Sequence, residues 1–305
     1  MNKVSIIFSR ISVWLIVSAL LVASCKQGGK RSKDDGQATI PRDNAAFYDD
    51  IKKAEKIFYT LPSPLESAML IKSAGAIFDD AILNPTENVR NYITNRSRAL
   101  NLGIYTCDLS FASLYDQTQL IIDYMSAAKS MADGLGILDA VADEDITKLE
   151  ENIHDTETIM DIVSQTYLNS NSYLEDNGQP AIAAIVLTGG WIEGLYIGTQ
   201  LIDMKNFENN ELVVRIIDQK LSVDILLNLL ESNSGHPVVD ELILQVGKIK
   251  RVFDKITLTT TPVKAEYDQP SNMTVLKSEV KSDLTLEVFK ELSAIVAEIR
   301  NSFIK

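Results

Sequence analysis

Ala181-Ile182-Ala183-Ala184-Ile185-Val186-Leu187-Thr188-Gly189-Gly190-Trp191-Ile192-Glu193-Gly194-Leu195-Tyr196-Ile197-Gly198 opens the most apolar segment beyond the first 25 residues, and its reading decides the fold. The run has neither the alternation of a half-buried strand nor a polar face, so it is a helix surrounded by protein or by lipid. Its length approaches the roughly 20 residues that cross a bilayer. Glu193 argues against hydrocarbon, where a carboxylate is costly, although a membrane span remains the competing reading. Gly190, Gly194 and Gly198 recur every fourth residue, which gives one face to a helix-packing groove where another backbone can come close.

A second helix carries the complementary pattern. Between Pro85 and Tyr115, Val89, Ile93, Leu100, Ile104, Cys107, Phe111 and Leu114 form an apolar stripe. Arg98, Asn101, Tyr105, Asp108 and Tyr115 follow at helical steps as a polar stripe. Buried polar groups need partners, so this stripe predicts either the wall of a ligand cavity or a hydrogen-bond network between helices. Trp191, Glu193 and Tyr196 lie where they can meet it. The candidate ligand-binding set is therefore Asn101, Tyr105, Asp108, Trp191, Glu193 and Tyr196. Glu193 is read as paired with an arginine such as Arg98; among apolar groups its pKa would rise, as in a general acid.

Working outward, helix-start signals punctuate the chain. Ser63-Pro64-Leu65-Glu66 and Asn84-Pro85-Thr86-Glu87 each place a capping residue, a proline and a glutamate in register. They predict helices from 64 to about Ile82 and from 85 to Tyr115. Asp116 opens another that stops near Gly134 and Gly136. Further helices are predicted from Asp143 to Glu151, Asp155 to Glu175, Ala181 to Met204, Glu211 to Glu231, Pro237 to Ile256 and Leu284 to Phe303. The Thr-rich stretch from Thr257 to Asp283 suggests a small hairpin or a mobile loop. The expected fold is all-α, an irregular antiparallel bundle of roughly eight to ten helices, occupying residues 43–305 as one domain.

The N-terminus has its own logic. Lys3 and Arg10 precede an apolar run from Ile11 to Val22, and Leu21-Val22-Ala23-Ser24-Cys25 ends it with small residues before a cysteine. This pattern resembles the lipobox of bacterial lipoprotein signals. The resemblance implies removal of residues 1–24 and acylation of Cys25, with palmitate-like chains holding the protein on a membrane. Residues 25–42, with Lys26, Lys30, Arg31, Lys33 and three glycines, read as a polar tether. Lys26 after the cysteine resembles lipoproteins sent to the outer membrane. Asp34 and Asp35 come too late for the acidic pattern of surface-displayed lipoproteins, which favours the periplasmic face. The segments 101–111 and 189–196 further resemble those of uncharacterised all-helical lipoproteins of Bacteroidetes, a likeness that brings no activity with it.

Composition narrows the partners. The whole chain carries a formal charge of −13; removing residues 1–24 takes away Lys3 and Arg10 and no acid, which leaves −15. Nucleic acid is excluded as an expected partner. Cys25 and Cys107 are the two cysteines, so a lipidated Cys25 leaves Cys107 without a disulfide partner. Cys107 reads as a small buried hydrophobe. His154 and His236 lack ligand spacing, Asp139, Asp143 and Asp145 lack the glycine of a calcium loop, and no nucleophile elbow, Walker loop or dinucleotide fingerprint occurs. No cofactor, metal or catalytic residue is expected. The sequence therefore points first to a non-enzymatic envelope lipoprotein that binds a partner protein or serves as a scaffold. The alternative is a periplasmic module for a small, partly apolar ligand, and a hydrolase comes third.

Overall fold

Helices account for nearly all regular structure in the computed structural model, which describes residues 61–305 apart from 139–146, 150, 261, 263, 269–272 and 278–279. The expectations for the signal, Cys25 and the tether fall outside the described residues. The α-helices are α1 (Pro64–Ser73), α2 (Asn95–Leu114), α3 (Thr118–Leu135), α4 (Thr156–Asp176), α5 (Pro180–Gln200), α6 (Glu211–Ser232), α7 (Pro237–Phe253) and α8 (Leu286–Phe303). Three 3-10 segments, Asp80–Ile82, Thr86–Asn91 and Met204–Asn209, join them. The fold is all-α, and these described helices pack as one unit.

The apolar run becomes α5, and α5 is the hub. It packs against α1, α2, α4, α6, α7 and α8, most extensively against α2. It is long and apolar enough to cross a membrane, yet 78% of its most apolar window is buried within the fold. Protein therefore supplies the apolar surroundings that its sequence requires. α2 is likewise buried on every side from Ala99 to Leu114. Its hydroxyls are satisfied within the helix: Thr106, Ser110 and Ser113 donate to the carbonyls of Leu102, Thr106 and Leu109 at 2.7, 2.8 and 2.7 Å.

Close approach of α2 and α5 is set by glycines. A Cβ on Gly103 would stand 2.1 Å from the Val186 carbonyl oxygen, and one on Gly189 would stand 2.1 Å from that of Leu100. No side chain fits there. The expected series behaves unevenly: Gly190 and Gly194 are pressed by Pro64 and Ser67 of α1, whereas Gly198 meets Ile216 only at ordinary contact distance. The backbone groove toward α2 thus runs through Gly189, Gly190 and Gly103, the last of which lies outside α5 altogether.

These contacts also correct the expected antiparallel arrangement. Leu100 meets Gly189, Gly103 meets Gly190 and Cys107 lies near Gly194, so α2 and α5 run parallel. α1 runs the same way, with Pro64 beside Gly190 and Ser67 beside Gly194. Parallel neighbours need long connections, supplied by residues 74–94 between α1 and α2 and by the two helices between α2 and α5. The C-terminal part is antiparallel: Asp224 pairs with Lys250 between α6 and α7, Lys255 with Glu291 between α7 and α8, and Gln200 of α5 with Ser293 of α8.

Two element boundaries differ from expectation. The capping box at Ser63 and Glu66 starts α1 as the sequence implies, but Gly75 takes φ +79° and the helix ends at Ser73 instead of near Ile82. The Asn84-Pro85-Thr86-Glu87 signal opens only a 3-10 turn. α2 begins ten residues later, at a capping box of Thr94 and Ser97. Asn84 does not cap because its side chain is turned into the core. Between α7 and α8, strands β1 (Leu258–Thr260) and β4 (Val280–Ser282) pair antiparallel, as do β2 (Lys264–Asp268) and β3 (Met273–Lys277), which makes the expected hairpin.

Candidate functional site

Three helices, α2, α5 and α8, bring charge into the core at one place. Glu193 of α5 is fully buried and accepts two hydrogen bonds, each 2.8 Å, from Nε and Nη2 of Arg300 in the last turn of α8. Arg300 Nη2 also donates to the Ile82 carbonyl at 3.1 Å, and the guanidinium lies over the Tyr196 ring, 4.5 Å from its centre. The fork geometry satisfies a buried ion pair that would otherwise be costly. Arg98, the expected partner, instead reaches the other way, donating to the carbonyls of Tyr92 and Gly134 at 3.1 and 2.8 Å. From the first turn of α2 it ties down the end of α3, where exposed carbonyls attract a cation.

Asp108 completes the charged group. It is fully buried, and its Oδ2 accepts the Asn84 backbone N–H at 3.2 Å. Burial and the neighbouring Glu193 carboxylate push the Asp108 carboxyl well above the usual carboxylate range. Its Oδ1 has no hydrogen-bond partner among the described residues, and the neutral, protonated form is the one that burial favours there. One proton and one guanidinium are thus distributed over two acids.

The surrounding amides and phenols are equally committed. Asn84 Nδ2 donates to Tyr92 Oη and Asn101 Oδ1 at 3.1 and 3.0 Å. Asn101 Nδ2 donates to the Ser97 and Phe303 carbonyls at 2.8 and 2.9 Å, and Tyr92 Oη donates to Ile304 at 3.2 Å. Tyr105 donates to the Pro85 carbonyl at 3.1 Å, and burial raises its phenol and that of Tyr124. Tyr196 packs on Arg300. Trp191 faces another way, its Nε1 donating to Gln219 of α6 at 3.2 Å, beside a shallow pocket of about 30 Å³.

The expectation that these six residues wall a ligand cavity gives way to a packing network. Asn101, Asp108, Glu193 and Tyr196 meet around Asn84 and Arg300, Tyr105 braces the same connector, and Trp191 stands apart. Asn84, Tyr92 and Arg300 were not anticipated. Arg300 had a legible signal: it falls four residues after Val296 and eight after Leu292, on the core stripe of α8. A cation there needs a buried anion.

The cavity with an apolar lining lies elsewhere. α3 and α4 each pack on α2 but are not packed on each other. They leave a slot of about 80 Å³ between them, with Leu102, Thr106 and Leu109 of α2 and Val186 of α5 among its lining residues. Met125, Ala128 and Ala132 of α3 line it together with Val163, Tyr167, Ser170 and Leu174 of α4. Lys129 is its one basic lining residue among those described. None of the six expected ligand-binding residues lines this slot. Cys107 is buried and unpaired behind it, with its thiol pushed well above the ordinary range by burial.

No family model, curated protein or solved structure matches the chain. Its functional reading therefore depends on the residues themselves.

Proposed function

We propose that the protein is a cell-envelope lipoprotein, anchored through acylated Cys25 to the outer membrane on its periplasmic face, whose helical domain binds or scaffolds without catalysis. The observation that carries the anchor is Leu21-Val22-Ala23-Ser24-Cys25 after a basic start and a short apolar run. Two acyl chains suffice for stable membrane attachment, and the polar residues 26–40 give the domain reach beyond it. Binding is favoured over hydrolysis because the buried acids are held by protein groups: Glu193 is bound to Arg300, and Asp108 to the Asn84 backbone. The Cys107 thiol, raised by burial, is a poor nucleophile.

Labelling with a radioactive or alkynyl palmitate and fractionating membranes tests the anchor. The wild-type chain takes up label and sediments with outer membrane; Cys25→Ser loses the label and leaves the membrane fraction. Retention of Cys25→Ser in the membrane overturns the reading.

A second reading, a module for a small and partly apolar ligand, is favoured by the slot between α3 and α4. Its lining, drawn from α2, α3, α4 and α5, is mostly apolar and opens to solvent, as a ligand site requires.

A further inference from the structure

We infer that the slot between α3 and α4 takes the alkyl chain of a free carboxylate amphiphile, a medium-chain fatty acid, with the acid group at Lys129; this rests on reading the slot as a ligand site. Three observations point the same way. The first is shape: a partly open gap of about 80 Å³ is well below the roughly 300 Å³ at which drug-sized ligands fit, and it admits several methylenes of a thin chain whose remainder stays at the opening. The second is lining. Leu102, Leu109, Met125 and Leu174 present hydrocarbon, and Thr106, the polar residue beneath them, has already spent its hydroxyl on the Leu102 carbonyl. Nothing in that part of the slot rewards a polar ligand.

The third is charge. In a chain of net charge −13, the one basic side chain among the described residues that line the slot is Lys129, exposed at its edge and free of any ion pair with a described residue. Tyr167, also in the lining, makes no hydrogen bond to a described residue, and burial raises its phenol, so it stays a donor. An ammonium and a phenolic O–H beside an apolar slot select an anionic oxygen head over a neutral or cationic one.

The test uses the full chain in isolated membranes and a decanoic acid bearing a terminal diazirine. Irradiation is expected to label peptides of α2, α3 and α4 that contain Leu109, Met125 or Tyr167. Unlabelled decanoate should suppress this at concentrations at least tenfold below those needed by decanol or decyltrimethylammonium. Lys129→Glu, a change at an exposed position, should remove the advantage of decanoate and leave decanol unchanged. Ala128→Phe should fill the slot and abolish labelling with the helical circular dichroism intact. Labelling of the slot that decanol and decanoate suppress equally, with no effect of Lys129→Glu, overturns the carboxylate inference while the ligand site stands. Absence of slot labelling, or labelling indifferent to Ala128→Phe, overturns both.

Discussion

At the scale of single residues, the decisive feature is that a proton and an arginine share two buried acids. Glu193→Gln removes the anion that Arg300 faces and leaves a guanidinium 3% exposed without a countercharge. Breaking one side of such a pair costs about 3 kcal/mol or more, so urea unfolding should show a clear fall in midpoint. Asp108 behaves in the opposite sense. Its folded pKa is raised by burial and by Glu193, so the folded chain keeps a proton that the unfolded chain releases from about pH 4 upward. Its contribution is complete below that range and is lost as pH rises toward the folded value. Asp108→Asn removes the titration and still accepts from the Asn84 N–H. Stability measured from pH 4 to 8 should therefore fall less steeply in the variant than in the wild type; parallel profiles would show that Asp108 carries no extra proton. The sequence announced Asp108 and Glu193 as buried acids, yet named the wrong arginine. Charge pairing depends on which side chains converge in space, and Arg300 stands 107 residues from its partner.

Among elements, α2 and α5 form the axis, and their contact is made by backbone. Gly189→Ala would drive a Cβ to 2.1 Å from the Leu100 carbonyl oxygen, which neither helix can yield without separating. We expect a loss of about 3 kcal/mol or more, at the upper end of overpacking effects. Gly198→Ala meets only Ile216 side-chain atoms at 3.7 and 3.8 Å and should gain up to about 1 kcal/mol from helix propensity. Denaturant unfolding of the pair checks the contrast, and equal effects would refute the assigned packing face. The i, i+4 glycine pattern was visible, but it does not say which glycine meets which helix. The same holds at the start of α2. Asn84 looks like the cap, but the core demand for an amide beside Asn101 and Tyr92 buries it, and Thr94 caps instead.

Across the whole molecule, parallel α1, α2 and α5 are surrounded by the antiparallel set α6, α7 and α8 and by the diverging pair α3 and α4. α8 closes the assembly: its end meets Asn101 through the Phe303 carbonyl, Tyr92 through Ile304 and Glu193 through Arg300. The residues nearest the C-terminus therefore lock the two most deeply buried helices. α3 and α4, seated on α2 without touching each other closely, leave the slot that a fully interdigitated bundle would not have.

What the sequence determined by itself is local in origin. Apolar periodicity and composition specified an all-helical fold and the buried character of α5, the capping residues Ser63 and Asp155 set the starts of α1 and α4, and the Thr-rich stretch became a hairpin. Each follows from short-range backbone and solvation preferences that any neighbourhood must respect. Tertiary structure alone decided the parallel course of α2 and α5, the choice of Arg300 over Arg98, the burial of Asn84, and the position of the cavity. Those depend on how distant helices fill space together. A helix presents its side chains around a full turn, so one residue pattern is compatible with several neighbours until close packing and the pairing of buried charges select one.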